Sequence, residues 1–169
     1  TLRDPDPAAL EAEIARATAP FALKPAPIQP LRRTLQDAMW EDVGVMRTED
    51  GLNSGLTRLA AIRDELATIG VDDTNLAFNL TWHDRLNMAS LVEVSEVITQ
   101  AALARENSRG AHFREDFPEQ GELEASYYTV SKQQGEAVET SRKPVEFTVV
   151  KPGETVLPDD APETLVAVG

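Results

Sequence analysis

Leu52, Leu56, Leu59, Ile62, Leu66 and Ile69 recur at steps of three and four. An apolar stripe of that period is buried on one side only if residues 49–69 coil as an α-helix. Thr48 is placed to cap it, Glu49 and Asp50 suit the positive end of the helix dipole, and Gly70 is expected to supply the stop. A second stripe, Leu31, Leu35, Ala38, Met39 and Val43, predicts a helix from Leu31 to about Val45. Val71 to Leu80 reads as a loop. A long helix follows, from about Thr81 to Glu106. Its apolar residues, among them Leu86, Met88, Leu91, Val92, Val94, Val97 and Ile98, cover more than one stripe. A helix that is apolar on several sides is central, or packs against something on two sides.

The ends are less regular. Asp6 and Pro7 introduce a short helix, Ala8 to Thr18. Pro20, Pro25, Pro27 and Pro30 then break the chain into an extended linker. After Gly110 the helical signal stops. Tyr127–Gln133 and Ala137–Ser141 can pair as a hairpin around Gln134-Gly135, and Val145–Val150, bracketed by Pro144 and Pro152, is a candidate edge strand. The fold expected is therefore mainly α: an antiparallel three-helix bundle, plus a short N-terminal helix, with a small C-terminal β-hairpin and strand tail. The expected organisation is a short helix and Pro-rich linker over 1–30, the helical bundle over 31–118, and a β-containing tail with a loose C-terminus over 119–169.

The formal net charge of −13 disfavours nucleic acid and anionic lipid surfaces as partners. Cysteine is absent, which removes disulfides, thiolate metal sites and cysteine nucleophiles. No apolar run is long enough to cross a bilayer, so direct membrane insertion is not expected. The chain opens on Thr1, a hint of a longer parent polypeptide.

No zinc-type spacing involves His83 or His112. Neither a dinucleotide fingerprint, a Walker loop nor a GxSxG elbow occurs, so catalytic, cofactor-binding and metal-binding residues are all expected to be absent from this chain. Trp40 and Trp82 invite a flavin-stacking role, but single tryptophans on helices more often serve a core or an interface. The densest polar cluster is residues 105–118, with Arg105, Arg109, His112, Arg114 and Asp116 within 14 positions of the end of the long helix. In one reading Arg109, His112 and Arg114 bind a carboxylate or a phosphate. In the other the cluster is a hydrogen-bonded helix terminus that docks onto another domain.

RENSRGAHFREDFP (105–118) resembles the R-x-E-S-R-G-A-H-x-R-x-D-F/Y segment of succinate dehydrogenase and fumarate reductase flavoproteins, of which L-aspartate oxidases carry a related version. Asn107 stands where the family usually has Glu. LRRTLQDAMWEDVGVMRTEDGL (31–52) looks like the family's helix ending in M-W-x-x-V-G-V-x-R. RKPVEFTVV (142–150) is similar to a strand of its tail. The resemblance implies a C-terminal helical domain that packs against an upstream FAD-binding domain, in a protein that oxidises or reduces a dicarboxylate. It implies no cofactor in this chain, with FAD in the full-length protein. It also implies a further partner, an iron–sulfur subunit, and a cytoplasmic location or the cytoplasmic face of a membrane complex. Arg105, Ser108, Arg109, His112, Arg114 and Asp116 match the family segment and are expected to tie the helix end to the flavin domain. The alternative is a free-standing acidic helical interaction module using the outer side of residues 86–104.

Overall fold

The computed structural model describes residues 4–135 and 137–154. Four helices form: α1 (Pro7–Thr18), α2 (Gln29–Glu41), α3 (Glu49–Leu66) and α4 (Leu80–Leu103). Two short strands, β1 (Met46–Arg47) and β2 (Phe113–Arg114), pair in parallel, and β3 (Tyr127–Gln134) pairs antiparallel with β4 (Ala137–Pro144). Helices α2, α3 and α4 run up, down and up. Ion pairs mark this arrangement: Arg58 of α3 reaches Glu41 and Asp42 at the end of α2, while Arg32 near the start of α2 meets Asp84 near the start of α4.

The core is where the periodicity places it. Leu31, Leu35 and Ala38 from α2 meet Leu59, Ile62 and Leu66 from α3, and Met88 and Val92 from α4 close the cluster. Thr48 caps α3 by accepting from the Gly51 N–H at 3.1 Å. On α4 the buried stripe is Arg85, Met88, Val92, Ser95, Thr99 and Ala102, whereas Leu91, Val94 and Ile98 are exposed. Two of its polar members, Arg85 and Thr99, find backbone partners. Thr99 Oγ1 donates to the Ser95 carbonyl at 2.7 Å, and the Arg85 guanidinium donates to the Leu66 and Ile69 carbonyls at the end of α3. Gly55 of α3 lies beside this stripe, where a Cβ would stand 2.9 Å from Val43 Cγ2 and 3.8 Å from Thr99 Cγ2.

Two expectations need correction, those for Gly70 and for residues 145–150. Gly70 does not terminate a helix through a left-handed turn. Helix α3 ends at Leu66, and Gly70 forms a parallel bridge to Pro25, its N–H donating to the Lys24 carbonyl at 2.9 Å. Gly110 is left-handed, with φ of 57°, but it lies past the end of α4. It occupies the first central position of a two-residue turn closed by paired backbone bonds between Arg109 and His112, where a positive φ suits glycine. Residues 145–150 form no strand: after Val145 donates to the Ser126 carbonyl, the segment has no neighbouring strand to pair with among the described residues. The proline stretch is tied down, with Pro20 and Ile28 buried beside the 3₁₀ turn Ala19–Ala22. The expected loose C-terminus lies mostly outside the described residues.

Candidate functional site at the arginine-rich helix terminus

Helix α4 ends with carbonyls that no later helical N–H can satisfy. Arg114 Nη1 donates to two carbonyls at this end, Ala102 and Leu103, each at 3.1 Å, and to the Arg105 carbonyl just past it at 3.3 Å. The rest of this guanidinium is bidentate with Asp116, Nε to Oδ1 at 2.7 Å and Nη2 to Oδ2 at 2.6 Å, and it lies 4.9 Å from the Phe117 ring. The side chain is only 1% exposed. Asp116 Oδ2 also accepts the Glu49 N–H, the first residue of α3, at 2.9 Å. One ion pair therefore joins the negative end of α4 to the positive end of α3, which suits both dipoles. The Arg114 guanidinium holds the Asp116 carboxyl down at about 2.

The neighbouring residues lock this arrangement. Ser108 Oγ accepts the Arg114 N–H at 2.8 Å and donates to the Phe117 carbonyl at 2.8 Å. Pairing of β1 with β2 sets Arg47 beside Arg114, and the Glu115 N–H donates to the Arg47 carbonyl. Arg109 donates to the Gln120 carbonyl at 2.6 Å, the Glu122 carbonyl at 2.9 Å and Ser126 Oγ at 2.6 Å, fixing the loop that leads into the hairpin. Asn107 is buried and accepts from Arg105 Nε at 2.9 Å. The Tyr127 ring lies between Arg105 and Arg142, at 5.5 and 4.8 Å. Arg142 reaches on to the Ala104 carbonyl and Glu106.

His112 faces a cation. Its Nδ1 is 3.1 Å from Arg47 Nη1, and a guanidinium can only donate, so Nδ1 is the acceptor and the imidazole is neutral with its proton on Nε2. Burial first, and the Arg47 charge second, lower its pKa. Arg47, Arg105, Arg109 and His112 line an open cleft of about 490 Å³, walled by Ile98 and Thr129.

The structure thus brings all six expected residues to one helix end. Arg109 and Arg114 direct their donors at this chain's own backbone and side chains rather than at open space. Arg47 belongs to the same cluster and was not singled out in the sequence. Its only signal was membership of the GVMR run, 65 positions before His112. Trp82 is an internal staple, its Nε1 donating to the Ala17 carbonyl at 2.7 Å and its ring 5.1 Å from Phe21. Trp40 is 80% exposed beside Val45 and Met46, and so belongs to a surface rather than to the core. Among the described residues, no group of three His, Asp or Glu is placed to hold a metal ion, and no helix is long and apolar enough to cross a membrane.

Residues 32–157 match a family model described as the fumarate reductase flavoprotein C-terminal region. One subunit of the CoM/CoB fumarate reductase of Methanothermobacter marburgensis is 37% identical over 98 residues, which is 58% of this chain and 17% of that protein. The succinate dehydrogenase flavoprotein subunit of Coxiella burnetii is 36% identical over 100 residues, 59% of this chain and again 17% of the relative. Among solved structures, a chain of the Mycobacterium smegmatis Sdh1 complex in the apo form superposes with a TM-score of 0.75 at 29% identity, covering 85% of this chain and 26% of that one. The chain therefore spans about a sixth of the length of these curated relatives.

Proposed function

Because this chain belongs to the fumarate reductase flavoprotein C-terminal family, we propose that it is the helical docking domain of an FAD-dependent dicarboxylate oxidoreductase and carries no active site of its own. The observation that carries this reading is the internal closure of the arginine-rich terminus. Arg109 and Arg114, the side chains best suited to grip a carboxylate or a phosphate, are engaged by backbone carbonyls, Ser126 and Asp116. On this reading FAD, and hydride transfer with it, belong to the upstream part of the polypeptide. The part of this chain is architectural: Arg105, Ser108, Arg109, His112, Arg114 and Asp116 hold one rigid helix end that docks on the flavin domain.

A further partner in the form of an iron–sulfur subunit, and a place at the cytoplasmic face of a membrane complex, fit the same reading. The test uses the complete flavoprotein. Arg109→Ala is expected to lower bound flavin and thermal stability while leaving the ratio of kcat/KM values for succinate and fumarate unchanged within about twofold, because an interaction remote from the reacting atoms does not discriminate substrates. A changed substrate ratio with full flavin content would place Arg109 in the chemistry instead.

A further inference from the structure

On α4 the exposed residues Leu91, Val94 and Ile98 form a stripe at helical spacing that continues through Ala101 into the cationic cleft. From Leu91 to Ala101 it runs about 15 Å. Apolar side chains of this size, contiguous and in water, mark a covered surface. The cleft at its end has a second peculiarity. The chain carries 29 acidic and 16 basic residues, yet no carboxylate lines this cleft. Among the described residues neither Arg47 nor Arg105 has an ion-pair partner. Both are half-buried, and their guanidiniums hydrogen-bond only neutral groups, the Val43 carbonyl and His112 for Arg47 and the Asn107 amide for Arg105. Such a pair of cations is complementary to a carboxylate from outside.

We propose that this stripe and cleft form one seat, which receives an apolar segment of the upstream polypeptide and places an aspartate or glutamate side chain of that segment against Arg47 and Arg105. It rests on the docking role proposed above and specifies which face is used and what chemistry fills it. Charge complementarity asks the occupant for a carboxylate. A segment of the same polypeptide meets the seat at the high effective concentration that a covalent link provides, and the matched relatives are about six times as long as the matched region.

A photo-crosslinking benzophenone amino acid placed at position 98 of the complete flavoprotein tests the seat. The same probe at position 78, in place of the fully exposed Phe78 near the opposite end of α4, serves as the comparison. The expected result is a crosslink from position 98 to an upstream peptide carrying an aspartate or glutamate. Arg47→Gln with Arg105→Gln is expected to lower its yield about tenfold, since a close charge pair across an interface is worth a decade or more in affinity. Arg105→Gln alone gives the same direction of change should the double variant fold poorly. Capture of a second copy or a separate subunit, or of an upstream peptide without a carboxylate, overturns the proposal, as does a yield insensitive to either variant. An upstream crosslink from position 78 alone overturns this seat and leaves the docking role standing. Upstream crosslinks from neither position overturn both.

Discussion

Arg114→Ala is expected to lower the unfolding free energy by about 3 kcal/mol, because it leaves helix-end carbonyls and a carboxylate without their shared cation. The guanidinium serves the Ala102, Leu103 and Arg105 carbonyls and both oxygens of Asp116, and it is buried against Phe117. Arg114→Lys restores only part of this, since one ammonium cannot reproduce the planar fork. Urea unfolding at neutral pH checks the magnitude, and a loss below about 1 kcal/mol would reduce the ion pair to an ordinary surface contact. The pH dependence follows from Asp116. Its carboxyl titrates near about 2 in the folded chain, below the ordinary 3.8. The unfolded state therefore binds the proton first, so the stabilisation is complete above 3.8 and is lost as pH falls toward 2. In Arg114→Ala that part of the acid limb flattens.

Gly70→Ala is the second large effect, expected at about 2 kcal/mol, within the range for overpacking. A Cβ at Gly70 would collide with the carbonyl of Leu23, and backbone cannot swing aside as a side-chain end can. The Pro25–Gly70 bridge and the bond to the Lys24 carbonyl would have to open. Gly110→Ala is the control. Its φ is positive but nothing lies within 4 Å of the added carbon, so only the conformational penalty of about 1 kcal/mol applies. Thermal midpoints of the two variants separate the causes, and Gly110→Ala proving the worse would show that close approach is not what Gly70 provides.

The same two glycines show how far the sequence could be read. Leu31, Leu35, Leu59, Ile62 and Leu66 declared their burial through period alone, because an amphipathic stripe has one way to leave water. Gly70 follows such a stripe, and a helix stop and a close backbone crossing look alike there until the proline stretch is seen packed beside it. On α4 the apolar residues covered more than one stripe, so period alone left the inward face open. Leu91, Val94 and Ile98 are more apolar than Ser95 and Thr99, yet the inward stripe carries the polar pair, where the Thr99 hydroxyl finds a backbone partner. The positive charge of 105–118 was plain in the residues, and its association with a helix end was legible. That Arg114 would reach back to α4 while Asp116 reached forward to α3 was not, since it depends on a two-residue parallel pairing, Met46–Arg47 with Phe113–Arg114, too short to leave a period. Arg47 joined the cluster through the same pairing.

Calorimetric titration of this 169-residue chain with FAD, succinate and fumarate in turn addresses most directly whether it docks rather than catalyses. With Arg109 and Arg114 held by their own chain, no saturable heat is expected at ligand concentrations up to the millimolar range. Micromolar binding of any of the three would mean that this domain carries a ligand site of its own, and would contradict the architectural role.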